Sequence, residues 1–196
     1  QIVNNKPLLI NDFDLYVITK KYIDDEYLEE VAHKCSKMIG KGGIEHPEAF
    51  DQRYDFEKFF HVDIRCIPKS RLKKLPPTIR YYEMSRSTTV IWGEDVRKLF
   101  PKIEANEIPR PEAIRIIMNR MMLLLMAFNP DFVKKKDYMT EDEKGILSYY
   151  CGKSYLTICE ALLIFANTYN PTYQGRADIF PETLKELENL WNSNFS

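Results

Sequence analysis

The sequence predicts an α+β fold, and three observations lead to this prediction. Two short apolar runs rich in β-forming residues lie in the first half, near 12–18 and 59–67, and both include carboxylates. Apolar residues between them recur at helical spacing, and the second half is dominated by helical periodicity. We therefore expect a sheet-containing domain over residues 1–107, followed by a helical domain over residues 108–196.

The first predicted strand begins with two carboxylates, Asp12 and Asp14, ahead of the apolar residues Leu15, Val17 and Ile18. Side chains at i and i+2 point to the same face of a strand, so the two carboxylates are expected to converge. This spacing is typical of a metal site. The alternative is an ordinary turn with capping carboxylates.

The second predicted strand places Asp63 among apolar neighbours, on the same face as His61 and Arg65 under a period of two. A buried lone charge costs several kcal/mol, so we expect a counter-charge beside Asp63. A metal ion held with Asp12 and Asp14 would supply it. Three carboxylates suit Mg²⁺, which prefers oxygen ligands, and two such ions can hold both oxygens of a phosphoryl displacement.

Local signals define the elements that follow the first strand. A helix is expected from Asp24 or Asp25 to Gly40, and the Lys41-Gly42-Gly43 loop is interpreted as its C-terminal cap rather than a phosphate loop. Residues 78–86 predict a short helix, and residues 88–92 predict a further strand. Gly93-Glu94-Asp95 then reads as a turn and helix start, which explains both carboxylates without a metal.

The prolines Pro101, Pro109 and Pro111 indicate the domain boundary, with Pro111 as an early helical residue. The apolar run that follows is interrupted by charged residues and predicts a buried core helix rather than a membrane span. A second long helix is expected from a capping box at 140–143 to about residue 167, and a last one over residues 181–191.

Composition places few further limits on function. The net charge is −1, with 28 basic and 29 acidic residues, so the chain lacks the global basic footprint of a protein that binds a nucleic-acid backbone. The 4 cysteines form no Cys-x-x-Cys pair. They predict reduced thiols and a cytoplasmic protein that has no membrane partner.

The segments Asn11-Asp12-Phe13-Asp14-Leu15 and His61-Val62-Asp63-Ile64 resemble the nucleotidyltransferase superfamily, which includes DNA polymerase beta and the aminoglycoside nucleotidyltransferases. The segments at 91–96 and 108–120 resemble small prokaryotic members. The resemblance implies a mixed sheet with flanking helices and a helical domain that closes over a cleft. It also implies an enzyme that moves a nucleoside monophosphate from an NTP to a hydroxyl acceptor, releasing pyrophosphate.

The resemblance assigns residues as well. Asp12, Asp14 and Asp63 match the carboxylates that bind two Mg²⁺ ions, and Lys153 is the candidate basic residue that reaches the triphosphate from the helical domain. The family's upstream Gly-Ser dipeptide is absent, and the chain begins without Met. We therefore expect that a natural N-terminal segment precedes Gln1.

Three questions stay open at the level of sequence. A catalytically silent protein that keeps the fold for binding or regulation is one alternative to the enzyme, and a metal-dependent hydrolase that uses the same carboxylates is another. The acceptor is undetermined among a small molecule, an RNA end and a protein hydroxyl. The NTP preference and the oligomeric state are also undetermined.

Overall fold

The computed structural model describes residues 2–3, 6–7, 13–38, 62–127 and 141–195. The fold is α+β and mostly helical. Four strands and five helices are described: β1 (Ile2–Val3), β2 (Lys6–Pro7), β3 (Phe13–Thr19), α1 (Asp25–Met38), β4 (Val62–Pro68), α2 (Ile79–Ser87), α3 (Arg110–Ala127), α4 (Glu141–Phe165) and α5 (Tyr173–Phe195). Strands β1 and β2 form an antiparallel pair, and β3 and β4 form a parallel pair.

The chain divides into two compact units, Gln1–Leu72 and Lys73–Ser196. The sequence instead predicted a boundary at 107/108, a point that falls inside the second unit. The difference arises at α2, which precedes the proline-rich segment but packs with the helices that follow it. Ile79 and Tyr82 of α2 belong to the same buried cluster as Ala113 of α3 and Leu163 of α4.

In the first unit, the two predicted strands are neighbours, as expected from their carboxylates. Helix α1 begins after Asp24, whose Oδ1 accepts a hydrogen bond from Glu26 N–H at 3.0 Å, as the sequence predicted. Near its other end, Ser36 is 1% exposed and joins α1 to β4. Its hydroxyl accepts from Val62 N–H at 2.9 Å and donates to Ala32 C=O at 2.9 Å. This one side chain therefore satisfies the first backbone donor of β4.

The second unit is built on the pairing of α3 with α4, the most extensive helix contact in the described chain. Its core combines residues from α2, α3, α4 and the loops between them: Ile79, Tyr82, Ile103, Ile108, Ala113, Ala161, Leu163, Ile164 and Tyr169. Helix α4 ends where Asn167 takes a left-handed conformation, with φ of 62°. Thr168 N–H then bonds Leu163 C=O and Asn167 N–H bonds Ile164 C=O, which is the Schellman pattern.

Helix α5 begins eight residues before the predicted start at Pro181, so that prediction of its N-terminus was wrong. Thr172 caps the helix, because its Oγ1 accepts from Gly175 N–H at 3.0 Å. Asn170 Oδ1 in turn accepts from Thr172 N–H at 3.0 Å. A Cβ atom on Gly175 would collide with the Asn170 side chain, so any other residue there requires Asn170 to move. The helix then continues through Pro181.

Two further predictions were wrong. Residues 88–92 form no strand; they make an exposed loop in which Ile91 and Trp92 are 78% and 92% exposed. Their β-forming side chains have no neighbouring strand in the described chain against which to pack, and packing is what determines strand formation. Helix α3 is also not a fully buried core helix, because several of its apolar side chains face solvent.

Other predictions are confirmed or lie outside the described residues. The helix predicted at 78–86 is α2, capped by Thr78, whose side chain accepts from Tyr81 N–H. Asp95 lies two residues before the short 3₁₀ turn Arg97–Leu99 and accepts from Arg97 N–H at 3.0 Å, so this carboxylate is explained without a metal. The Lys41-Gly42-Gly43 loop, His61 and the capping box residue Thr140 lie outside the described residues.

Candidate carboxylate site on the parallel strands

The strand pairing brings Asp14 and Asp63 together. In the parallel register, Asp14 lies directly opposite Asp63. Residues opposite each other on neighbouring strands point to the same face, and the strands lie about 4.8 Å apart. Asp14 is exposed and the Asp63 side chain is 31% exposed, so this face is open to a ligand. Two carboxylates predicted from separate segments thus share one accessible face.

Arg65 already balances the charge of Asp63. Its Nη2 and Nε donate to Asp63 Oδ2 at 2.9 and 3.1 Å. The expectation that Asp63 is a buried lone charge was therefore wrong: the side chain is partly exposed, and a guanidinium two residues along the same strand pairs with it. The period of two that places Asp63 and Arg65 on one face accounts for the contact.

The charges on this face act on one another. Burial opposes the charged form of Arg65, but the hydrogen bond and charge of Asp63 outweigh it and raise the pKa of Arg65, with smaller contributions from Tyr16 and Asp14. The face is therefore a small network of two carboxylates, a guanidinium and a phenol. Such a network offers oxygen donors for a cation and one fixed positive charge for an anion.

The third predicted carboxylate, Asp12, lies outside the described residues. Among the residues that the structure does describe, no group of three or more His, Cys, Asp or Glu side chains is arranged to hold a metal ion. The pair formed by Asp14 and Asp63 is consequently the part of the predicted metal site whose geometry is defined.

Lys153, the predicted triphosphate contact, lies on α4 in the second unit and is partly buried. Its Nζ lies 5.5 Å from the centre of the Tyr149 ring, a cation–π distance. Its charge also lowers the pKa of Glu160, opposing the effect of burial on that carboxyl. Lys153 therefore belongs to a charged region of the helical unit, and its role at a triphosphate stays a prediction.

The sequence analysis missed a buried polar cluster in this unit, centred on Arg176 of α5. Arg176 is 7% exposed. Its Nη1 donates to Glu83 Oε1 at 2.7 Å, to Tyr169 OH at 3.0 Å and to Asn170 C=O at 2.9 Å. Its Nη2 pairs with Glu160 Oε1 at 3.2 Å, and Tyr169 OH donates to Glu83 Oε1 at 2.7 Å. We call Glu83, Glu160, Tyr169 and Arg176 the arginine cluster.

Burial has the largest effect on the pKa values of Glu160 and Tyr169 in this cluster. It raises the pKa of Glu160 above its ordinary value, and the attraction of Arg176 only partly offsets it. Burial likewise raises the pKa of Tyr169, with the Glu83 charge acting in the same direction. The guanidinium lies 4.4 Å from the Tyr173 ring centre and 5.1 Å from that of Tyr169. Nη1 and Nη2 of Arg176 and the hydroxyl of Tyr169 are therefore already engaged inside the fold.

One signal in the sequence points to the arginine cluster. Arg176 lies three and seven residues before Ile179 and Thr183, which occupy the inward stripe of α5. A charged residue on an apolar stripe requires a buried partner. The partners come from α2 and α4, distant in sequence, so no local pattern identifies them.

Comparisons of this chain with protein-family models, with curated proteins and with solved structures give no match. The candidate site is therefore described from the sequence and structure of this chain alone. Within the described part of the chain, no helix is both long enough and apolar enough to cross a membrane.

Proposed function

We propose that this chain is a metal-dependent nucleotidyltransferase that moves a nucleoside monophosphate from an NTP to a hydroxyl acceptor. The observation that supports the proposal best is the register of the parallel strands, which sets Asp14 opposite Asp63 on one open face. The two segments were identified from separate parts of the sequence by their likeness to this superfamily. Their adjacency is what a shared metal site requires.

The donor set fits Mg²⁺. Carboxylate oxygens are the ligands this ion prefers, and Asp14 and Asp63 present them on a partly hydrated face that leaves room for water and substrate phosphates. When bound there, Mg²⁺ would neutralise charge on the triphosphate and on the leaving pyrophosphate. Asp12 is the third proposed ligand, on the basis of its spacing from Asp14.

The protein side chains have distinct proposed roles. Asp14 orients the triphosphate through the metal site, whereas Asp63 also accepts the proton of the acceptor hydroxyl as it attacks the α-phosphorus. Arg65 holds Asp63 through Oδ2 at 2.9 and 3.1 Å, which leaves Oδ1 for this work. Arg65 is thus a positioning residue. The role of Lys153 at the triphosphate stays what the resemblance implies.

The pairing of Asp63 with Arg65 also favours the alternative, a catalytically silent protein that binds nucleotide or a partner. A carboxylate already neutralised by a guanidinium has less need of a metal. A hydrolase that uses the same carboxylates is separated from a transferase by its products, since hydrolysis leaves no nucleotide on an acceptor.

The first experiment is calorimetry of NTP binding with and without Mg²⁺, on the protein and on the double variant Asp12→Ala, Asp14→Ala. We expect Mg²⁺-dependent binding that the double variant loses, because the carboxylates carry the metal. Asp95→Asn is the matched control, since Asp95 of the second unit forms a similar pair with an arginine two residues along, at 2.6 Å. Absence of Mg²⁺-dependent binding in the parent protein would favour the silent alternative.

The second experiment separates binding from chemistry. We expect Asp63→Asn to abolish nucleotide transfer to a panel of hydroxyl acceptors, by a factor of about 100 or more, while NTP binding largely persists, because the base is lost and the Asp14 ligand is kept. The measurement is label transfer from α-labelled NTP. Equal transfer by the variant and the parent would contradict the proposed role of Asp63.

A further inference from the structure

Helix α3 presents an apolar stripe to solvent. Its members are all at least half exposed: Ile114 at 56%, Met118 at 53%, Met121 at 50% and Leu125 at 64%, with Met122 at 57% beside them. The opposite side of α3 is apolar too, because Ala113, Ile116 and Ile117 pack into the core of the second unit. A helix that is apolar all round is normally buried on every side. The solvent-facing stripe therefore lacks a covering element among the described residues.

The stripe has the spacing of a coiled-coil seam. Ile114, Met118, Met121 and Leu125 are separated by four, three and four residues, which corresponds to heptad positions d, a, d and a. We call these four residues the α3 seam. Spacing of this kind keeps side chains in line along a helix so that they interlock with those of a second helix. The seam therefore fits a helical occupant.

The spacing also reads the same in both directions, so a second copy of the chain can fit the seam. A two-fold axis that passes between Asn119 and Arg120 maps the seam onto itself. An antiparallel second copy would then set Met118 against Met121 of the partner subunit and Ile114 against Leu125 of the partner subunit. An isologous two-fold contact requires such self-complementarity, whereas a seam for an unrelated partner does not.

The charges near the seam agree with a second copy. Between residues 113 and 125 the only charged side chains are Arg115 and Arg120. Arg115 pairs with Glu112 of its own helix at 2.8 Å, and Arg120 Nε donates to Thr157 Oγ1 at 3.4 Å on the inner side. The pairing of two seams consequently buries no unpaired charge. A charged or nucleic-acid partner would find no matching groups there.

We propose that α3 mediates an antiparallel homodimer through the α3 seam, independently of the proposed nucleotidyltransferase activity. The five exposed side chains offer roughly 500–600 Å² of surface per subunit, at the low end of specific interfaces, which bury about 800 Å² per partner. The dimer is therefore a weak one, with a Kd of about micromolar order.

Helix α4 provides the position for a control substitution. It also exposes apolar side chains, with Tyr155 at 72%, Ile158 at 50% and Phe165 at 40%. Its stripe is the weaker candidate, because Tyr155 can keep its hydroxyl in water and Leu162, at the remaining seam position, is partly buried. A substitution at Ile158 matches one at Met121 in exposure but lies on the other helix.

The test is sedimentation equilibrium of the full chain over a range of concentrations. The protein should approach twice its 23.2 kDa chain mass as concentration rises. The double variant Met118→Glu, Met121→Glu faces like charges across the two-fold axis and should weaken the dimer by about 100-fold. Met118→Glu, Met121→Lys should restore it, because each Glu then faces the Lys of the partner subunit. Ile158→Glu should leave it unchanged.

Each other outcome overturns the proposal. A parent protein that remains monomeric shows that another part of its own chain covers the seam. If the Glu/Glu variant still forms the dimer, or if Ile158→Glu dissociates it, the dimer interface lies outside the α3 seam. Failure of the Glu/Lys variant to recover excludes the antiparallel register. Circular dichroism and a melting curve complete the test, since a Glu/Glu variant that no longer folds shows that the seam is internal.

Discussion

Arginine pairs with carboxylates at several places in the described chain, and two of these arrangements have opposite consequences because their surroundings differ. Asp63 and Arg65 lie two residues apart on one strand, with side chains 31% and 49% exposed. The arginine cluster joins Glu83, Glu160 and Arg176 from three helices, and its guanidinium side chain is 8% exposed. The chemical groups are alike, but one set is local and hydrated and the other is distant in sequence and buried.

This difference in burial connects the exposed pair with binding and the buried cluster with stability. An exposed ion pair contributes about 0–1 kcal/mol, so Asp63 can exchange its arginine for another cation at little cost. A buried pair that loses one partner costs about 3–5 kcal/mol, so the arginine cluster cannot release its arginine to a ligand without weakening the fold. The open pair is therefore the better candidate for binding chemistry, and the buried cluster is a structural element.

The largest effect on stability is expected from a substitution in the buried arginine cluster. Arg176→Met removes the guanidinium that pairs with Glu83 and Glu160 and donates to Tyr169 OH, so that Glu83 keeps the Tyr169 hydroxyl as a donor but loses its charge partner. We expect the free energy of unfolding to fall by about 3–5 kcal/mol, measured by urea denaturation. Arg97→Met, which removes an arginine from an exposed pair, is the control and should change it by less than about 1 kcal/mol. Equal effects of the two variants would contradict the comparison.

Ser36→Ala tests whether the first unit also depends on a buried polar contact. The variant leaves Val62 N–H without its acceptor at the start of β4. We expect a loss of about 1–3 kcal/mol in unfolding free energy, because an unsatisfied buried donor bears its full desolvation cost. Ser85→Ala removes a hydroxyl that only donates to a carbonyl of its own helix, and serves as the control. A loss of unfolding free energy no larger than that of Ser85→Ala would show that the hydrogen bond from Val62 N–H to Ser36 does not stabilise the fold.

A smaller, pH-dependent effect is expected from Glu160→Gln. Because burial raises the pKa of Glu160 above the ordinary value of 4.5, the folded state binds its proton more tightly than the unfolded state does. The contribution of Glu160 to stability is thus fully present below the unfolded pKa and is lost as pH rises through the folded pKa.

The measurement is urea denaturation of the parent and the Gln variant at several pH values from about 4 to 8. The stability of the parent relative to Glu160→Gln should decline with rising pH and then level off. A relative stability that rises with pH would mean that Arg176 outweighs burial and that the pKa of Glu160 is lowered.

The smallest expected stability change is that of Arg65→Gln. Its pair with Asp63 is exposed, so we expect unfolding free energy to change by only about 0–1 kcal/mol. On the proposed function, Mg²⁺ should bind several-fold more tightly, because Asp63 no longer shares its oxygen with a guanidinium. Calorimetric titration with Mg²⁺ measures the change. Weaker Mg²⁺ binding would show that Arg65 assists the cation site instead of competing with it.

Local features of the fold were predictable from sequence, because they depend on neighbouring residues. The cap of α1 by Asp24 and the bond from Arg97 N–H to Asp95 follow from short side chains that accept from nearby amides. That the two carboxylate strands are neighbours also followed, since their motifs implied a shared site, but their parallel direction was not predicted.

Features that depend on tertiary packing were not predictable. The β-forming residues 88–92 make an exposed loop, since strand propensity has no effect without a neighbouring strand. Within the candidate site, the alternation that places Asp63 and Arg65 on one face was visible, but their partial exposure was not. The arginine cluster unites residues up to 93 positions apart, which no local pattern encodes.

On α5, the glycine that precedes Arg176 restricts substitution through a neighbouring side chain. Any residue with a Cβ at 175 would push aside the amide of Asn170, whose Oδ1 accepts from Thr172 N–H just before the helix begins. Arg176 is the next residue along the chain. In a saturation library selected for folded protein, glycine should therefore be enriched at 175, although it has no side chain to pack.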